Sequence, residues 1–219
     1  MRKLFLALTA GVAFGLASCG EPPQRNTGVY MLIDTSGTYT REIDQAQQII
    51  NVILARLEPN DAFAVARVDT GSFSERDIVA KMHFDDRPSV TNQQKRQFRD
   101  RVDDFVRGVT PASHTDITGA MLQATEFLAE KGTGRKVIFI FSDLKEDLPP
   151  GYVRNFPLPL DGVHVVAVNV TKLRTDNIDP REYLNRITSW QERVEEGGGT
   201  WQVINDLDRL DATWEAPTR

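Results

Sequence analysis

Two kinds of hydrophobic pattern alternate along this chain. Val29-Tyr30-Met31-Leu32-Ile33 and Val137-Ile138-Phe139-Ile140-Phe141 are continuously apolar runs of five. Short unbroken runs of β-branched and aromatic residues are what strands covered on both faces require. Phe63 to Val68 and Val163 to Val168 repeat the pattern more weakly. Ile78 to Phe84 carries Lys81 and His83 on one face, and Thr200 to Ile204 mixes Gln202 with Trp201 and Val203, so both predict edge strands. Between the runs the apolar period lengthens to that of a helix. One stripe is Ile43, Ala46, Ile50, Ile53, Leu54 and Leu57, and a second is Phe98, Val102, Phe105, Val106 and Val109. Ala120, Ala124, Phe127 and Leu128 form a third, and Tyr183, Ile187, Trp190 and Val194 a fourth. The fourth has a written start, with Asp179 as cap, Pro180 at the first helical position and Glu182 three residues after the cap, and it stops at Gly197-Gly198-Gly199. A short final helix is expected around Leu207, Leu210 and Trp214, and residues 144–162, with four prolines, read as a long surface loop.

Strands alternating with helices predict an α/β domain: a doubly wound, mostly parallel six-stranded sheet with one antiparallel edge strand. Trp190, Trp201 and Trp214 fall where the periodicity calls for packing, so they are assigned to the core and not to a stacking surface.

The first residues do not fit this alternation. Arg2 and Lys3 precede thirteen largely apolar residues, Leu4 to Leu16. A spanning helix needs about 20, whereas a charged start, a short apolar stretch and small residues before a cut are the marks of an export signal. The cut reads Leu16-Ala17-Ser18-Cys19, and Cys19 is the only cysteine in the sequence, so the mature domain has no partner for an internal disulfide. The segment resembles the lipobox of bacterial lipoproteins. That resemblance implies that residues 1–18 are removed, that Cys19 carries the lipid, and that the protein is held at the cell envelope. Gly20 is not the aspartate associated with inner-membrane retention, which favours the outer membrane. Residues 19–27 then form a lipidated tether, 28–214 the domain and 215–219 a tail. Loss of Arg2 and Lys3 takes the formal charge from −5 to −7, and the basic cluster Lys95, Arg96, Arg99 and Arg101 is interleaved with acids, so nothing favours nucleic acid as a partner.

In open α/β sheets ligands sit beyond the carboxyl ends of the strands. After the first strand come Asp34-Thr35-Ser36-Gly37-Thr38, and after the fourth, Ser142-Asp143. Ser113-His114-Thr115-Asp116-Ile117-Thr118-Gly119 leads into the third helix. Any one of these could be a helix cap or turn. Together they place hydroxyls and carboxylates on three loops at one edge, an oxygen-rich set suited to a hard divalent cation and unlike the His and Cys clusters of zinc sites.

Asp34-x-Ser36-x-Thr38, Thr115 and Asp143, with the order of elements, resemble the von Willebrand factor type A domain and its metal-ion-dependent adhesion site over about residues 27–214. In that family's pattern the last hydroxyl of the first segment is serine, and here it is Thr38. The resemblance implies Mg2+, with Mn2+ or Ca2+ as alternatives, held directly by Ser36 and Thr38, directly or through water by Thr115, and mainly through water by Asp34 and Asp143. It also implies a partner protein that offers an acidic side chain to the ion, and a binding domain in place of an enzyme. His114 is a candidate for the rim of the site, and Asp116 for the cap of the third helix. Two alternatives stay open. Asp34-Thr35-Ser36-Gly37-Thr38 also resembles the nucleophile loop of haloacid dehalogenase-like phosphotransferases, with Ser142 and Lys145 as further motifs, though Val163 to Val168 lacks the paired acids that family needs. The other is a metal-free scaffold in which these residues only cap.

Overall fold

The computed structural model describes residues 26–37, 39–206 and 210. The signal segment, Cys19, Thr38, Trp214 and the tail therefore lie outside the described residues, and of the final helix only Leu210 is described, helical and buried. Six strands form one sheet: β1 (Thr27–Asp34), β2 (Ala62–Val68), β3 (Ile78–His83), β4 (Arg135–Phe141), β5 (Val163–Val168) and β6 (Thr200–Ile204), in the order β3-β2-β1-β4-β5-β6. All neighbours are parallel except β3, which pairs antiparallel with β2 across a register shift at Val65/Ala66. The expected mixed sheet with one antiparallel edge strand is the one observed.

Alternation along β1 explains the two layers, because successive side chains point to opposite faces. Val29, Met31 and Ile33 join a core with residues of α1 (Ile43–Arg56) and α2 (Pro88–Gly108), including Ile50, Ile53, Phe98 and Val102. Tyr30 and Leu32 join the opposite core with residues of α3 (Ile117–Lys131) and α4 (Arg181–Glu196), including Ala124, Leu128, Trp190 and Val194. Each fully buried large aliphatic or aromatic side chain contributes about 1.5–3 kcal/mol, and both faces of β1 are lined with them. All four helical stripes face the sheet as their spacing requires. The start of α4 differs by one residue from the expectation: Pro180 occupies the cap position, and Asp179 Oδ1 accepts the Arg181 N–H at 3.1 Å and also pairs with the Arg181 guanidinium. Among the described residues no helix is long and apolar enough to cross a membrane.

The order of strands matters for function. From β1 the chain moves outward to β2 and β3, then returns to the other side of β1 with β4, so the direction of winding reverses between β1 and β4. The loop after β1 leads to α1 on one face, while the long loop after β4 returns to β5 over the other face, packing Leu144, Leu158 and Leu160 there, which opens a crevice between them at the carboxyl edge.

Candidate metal centre

Asp34 ends β1, and Ile33 pairs with Phe141 at the end of β4, so Asp34 and Ser142 come side by side at the reversal point. Asp34 is 1% exposed; its Oδ1 accepts the Ser36 N–H at 2.8 Å and its Oδ2 accepts the Ser142 hydroxyl at 2.6 Å. Thr35 is turned away, donating its hydroxyl to the Val68 carbonyl. α1 begins only at Ile43, after a short 3-10 turn over Tyr39–Glu42, so neither Asp34 nor Ser36 caps it. Tyr39, fully buried, anchors that turn by donating its hydroxyl to the Asn169 carbonyl beyond β5.

Asp143 is also buried. Its Oδ1 accepts the Lys145 N–H at 2.8 Å, and among the described residues its Oδ2 accepts no hydrogen bond. Burial, reinforced by the nearby Asp34 charge, pushes the Asp143 carboxyl up to about 6, and burial raises that of Asp34. Among the described residues neither carboxylate takes part in an ion pair; Arg186 and Lys145 offset the rise at Asp143 only in part. Leu144, the next residue, takes the left-handed conformation at φ 65°, a strain of about 1 kcal/mol for a residue with a Cβ. Two donors from α4 hold this backbone: Arg186 Nε reaches the Asp143 carbonyl at 2.9 Å, and Trp190 Nε1 reaches the Leu144 carbonyl at 2.9 Å.

The third segment is stitched between the other two. Ser36 and Ala112 form a parallel bridge, with the Ala112 N–H on the Thr35 carbonyl at 2.8 Å. Thr115 and Asp147 form an antiparallel bridge, exchanging backbone bonds at 2.8 and 2.9 Å. Thr115 is buried, and among the described residues its hydroxyl makes no hydrogen bond. The next residue behaves differently. Asp116 is fully buried, caps α3 by accepting the Gly119 N–H at 2.8 Å, and takes the Arg154 guanidinium on both oxygens, the shortest contact being 2.7 Å. Gly119 is required here, because a Cβ would lie 2.4 Å from the Ser72 carbonyl and 2.5 Å from Asp116 Oδ2. His114 sits at the rim, half-buried, with Nδ1 3.1 Å from Asp147 Oδ2.

Asp34, Ser36, Thr115 and Asp143 are thus brought to one edge, and Thr38 lies outside the described residues. Among the described residues there is no group of three or more His, Cys, Asp or Glu side chains fit to hold a metal. Among the described residues, an Asp143 oxygen and a Thr115 hydroxyl without hydrogen bonds, beside two buried carboxylates that form no ion pair, fit a hard cation. Sequence reasoning missed Ser142 as the residue that orients Asp34, and Arg154, Arg186 and Trp190 as the holders of the neighbouring loops. Ser142 follows an apolar strand beside Asp143, a weak signal. The other three carry none, because their partners are 38 to 46 residues away.

No family model and no curated protein matches the sequence. Solved structures do resemble it. A von Willebrand factor type A protein from Catenulispora acidiphila superposes with a TM-score of 0.56 at 15% identity, over 87% of this chain and 41% of that one, so this chain spans less than half the length of that protein. An aerotolerance-related membrane protein from Bacteroides fragilis gives 0.47 at 13% identity, over 86% and 96% of the two chains. The conserved hypothetical protein BatB from Bacteroides thetaiotaomicron gives 0.47 at 15% identity, over 86% and 95%. With its strand order, antiparallel edge and two helical layers, the chain has an α/β fold of the von Willebrand factor type A kind.

Proposed function

We propose that this domain is a protein-binding module that takes a divalent cation, Mg2+ in the first place and Mn2+ or Ca2+ as alternatives, at the carboxyl edge of its sheet. The observation that carries the reading is the bridging of residues 112–115 to Ser36 at one end and to Asp147 at the other. It gathers the hydroxyls and carboxylates of three loops beside two buried acids. Ser36 and Thr38 would hold the ion directly, Thr115 directly or through water, and Asp34 and Asp143 mainly through water. With few carboxylates in contact, such an ion supplies an open electrophilic position, suited to an acidic side chain of a partner protein. That single bond is selective only where the surrounding surface also fits. The lipobox-like segment ending in Cys19 adds a lipid anchor and places the domain at the cell envelope, at the outer membrane where the cell has one.

The phosphotransferase alternative asks Asp34 to attack phosphorus. Its carboxylate is 1% exposed and is held by the Ser36 N–H and the Ser142 hydroxyl, an arrangement suited to orienting a ligand and poor for a nucleophile.

Calorimetry of Mg2+ with the chain from residue 20 onward, beside its Thr115→Ala variant, tests the reading. Among the described residues the Thr115 hydroxyl has no hydrogen bond to lose, so the expected result is a folded variant with its binding heat abolished or strongly reduced. Binding kept in the variant returns the question to the phosphotransferase, and no heat in either protein leaves a metal-free scaffold.

A further inference from the structure

α4 presents two donors one turn apart, Arg186 and Trp190, to the carbonyls of two consecutive residues, Asp143 and Leu144. Neither donor is free to wander. The Arg186 guanidinium is locked by Asp176, with Nη1 on Oδ1 at 3.0 Å and Nη2 on Oδ2 at 2.8 Å, and Asp176 is 1% exposed. Asp176 is fixed in turn by accepting the Leu173 N–H at 2.7 Å. Trp190 is 4% exposed, its ring packed in the α3/α4 layer and covered by the Arg193 guanidinium at 4.6 Å. Their two targets bracket the left-handed turn at Leu144, a conformation that persists only where the surroundings over-determine it. A side chain hung on such a turn inherits its position from whatever holds the backbone.

We infer that Arg186 and Trp190 are positioning residues for the Asp143 carboxylate, so that α4 and the segment bearing Asp176 set the affinity of the carboxyl edge for a divalent cation. The role rests on the metal reading above. It also reaches further: residues 173–184, which include the exposed Ile178 and Leu184, are tied through Arg186 to the same backbone.

The test is Mg2+ calorimetry on the full chain in detergent, with thermal unfolding in the absence of metal and amide hydrogen exchange at Lys145 measured in parallel. Arg186→Ala alone would strand the buried Asp176 charge, so the informative variants are the paired Arg186→Gln/Asp176→Asn, the conservative Arg186→Lys, and Trp190→Phe, which keeps the aromatic body and removes the N–H. Outer-shell partners of metal ligands change affinity ~10–100-fold. The expected result is a loss of Mg2+ affinity at the lower end of that range in the paired variant and in Trp190→Phe, partial recovery in Arg186→Lys, and faster exchange at Lys145, whose N–H sits on Asp143 Oδ1. Arg181→Ala, whose guanidinium among the described residues pairs with Asp179 at the surface, is the unchanged control. A purely structural role would lower the unfolding temperature and leave Mg2+ affinity as it was, and that pattern beside a parent that binds overturns the positioning role alone. A parent without binding heat overturns the metal reading and this role with it.

Discussion

Buried aspartates stand at both edges of the sheet, and they are equipped in opposite ways. At the amino edge, Asp61 precedes β2 with both oxygens taken: Oδ1 accepts the Thr27 N–H and Oδ2 the Glu58 N–H, each at 2.6 Å. At the carboxyl edge, Asp143 has one oxygen on a backbone N–H and the other, among the described residues, without a donor. Burial raises the carboxyl pKa at both places, so burial does not tell a site from a brace. Unused coordination capacity does. Asp61 closes the start of two strands, whereas Asp143 Oδ2 accepts no hydrogen bond among the described residues, as the proposed metal site requires. Asp116 shows that position at the carboxyl edge is not sufficient either, since the Arg154 fork and the α3 cap consume its oxygens.

The comparison can be sharpened by substitution. The largest expected effect belongs to Asp116→Ala, which strands a largely buried guanidinium and uncaps α3; chemical denaturation should show a loss of about 3 kcal/mol. Asp61→Ala leaves two backbone N–H groups without their acceptor and should cost about 2 kcal/mol, with Mg2+ binding heat unchanged in calorimetry. Asp143→Asn should do the reverse, removing the Mg2+ heat while the metal-free stability at pH 7 does not fall, because a poorly satisfied buried charge is gone. An unfolded Asp143→Asn variant, or an Asp61→Ala protein that no longer binds Mg2+, would break the division between brace and site.

The last test is a pH dependence. With its carboxyl raised from the ordinary 3.8 to about 6, Asp143 holds more protons in the folded than in the unfolded chain between those values. Its contribution therefore favours folding at low pH and is lost as pH rises through about 6. Denaturation of the metal-free protein from pH 4 to 7 should show the parent losing stability relative to Asp143→Asn up to about pH 6 and holding a constant difference above it. A difference that does not change with pH removes this account of the Asp143 environment.

Much of this molecule is legible in one dimension because burial imposes a period. The five-residue apolar runs became the central β1 and β4, the mixed patterns at Ile78 and Thr200 became the two edges, and each helical stripe faces the sheet. The start of α4 lies one residue beyond the expectation, although the Asp179 side chain still accepts a backbone N–H of its first turn. In the candidate site, the first segment, Thr115 and Asp143 could be read because each directly follows a strand or precedes a helix, positions the topology sends to one edge. Periodicity assigns Trp190 to the core, where it lies, yet its indole N–H also holds the Leu144 carbonyl, which periodicity does not register.

By itself, then, the amino-acid sequence determined the class of fold, the apolar stripe each helix turns to the sheet, the oxygen-rich character of the three loops and the expectation of a lipid anchor at Cys19, because these depend on local period and on residue type. The tertiary structure alone decided that the Ser142 hydroxyl holds Asp34, that Asp116 is spent on Arg154 while Thr115 keeps its hydroxyl, and that α4 grips the backbone on either side of Leu144. Each of these is a bond between residues brought together from distant parts of the chain. Which donor meets which acceptor there is set by how whole layers pack, and no short stretch of sequence contains that information.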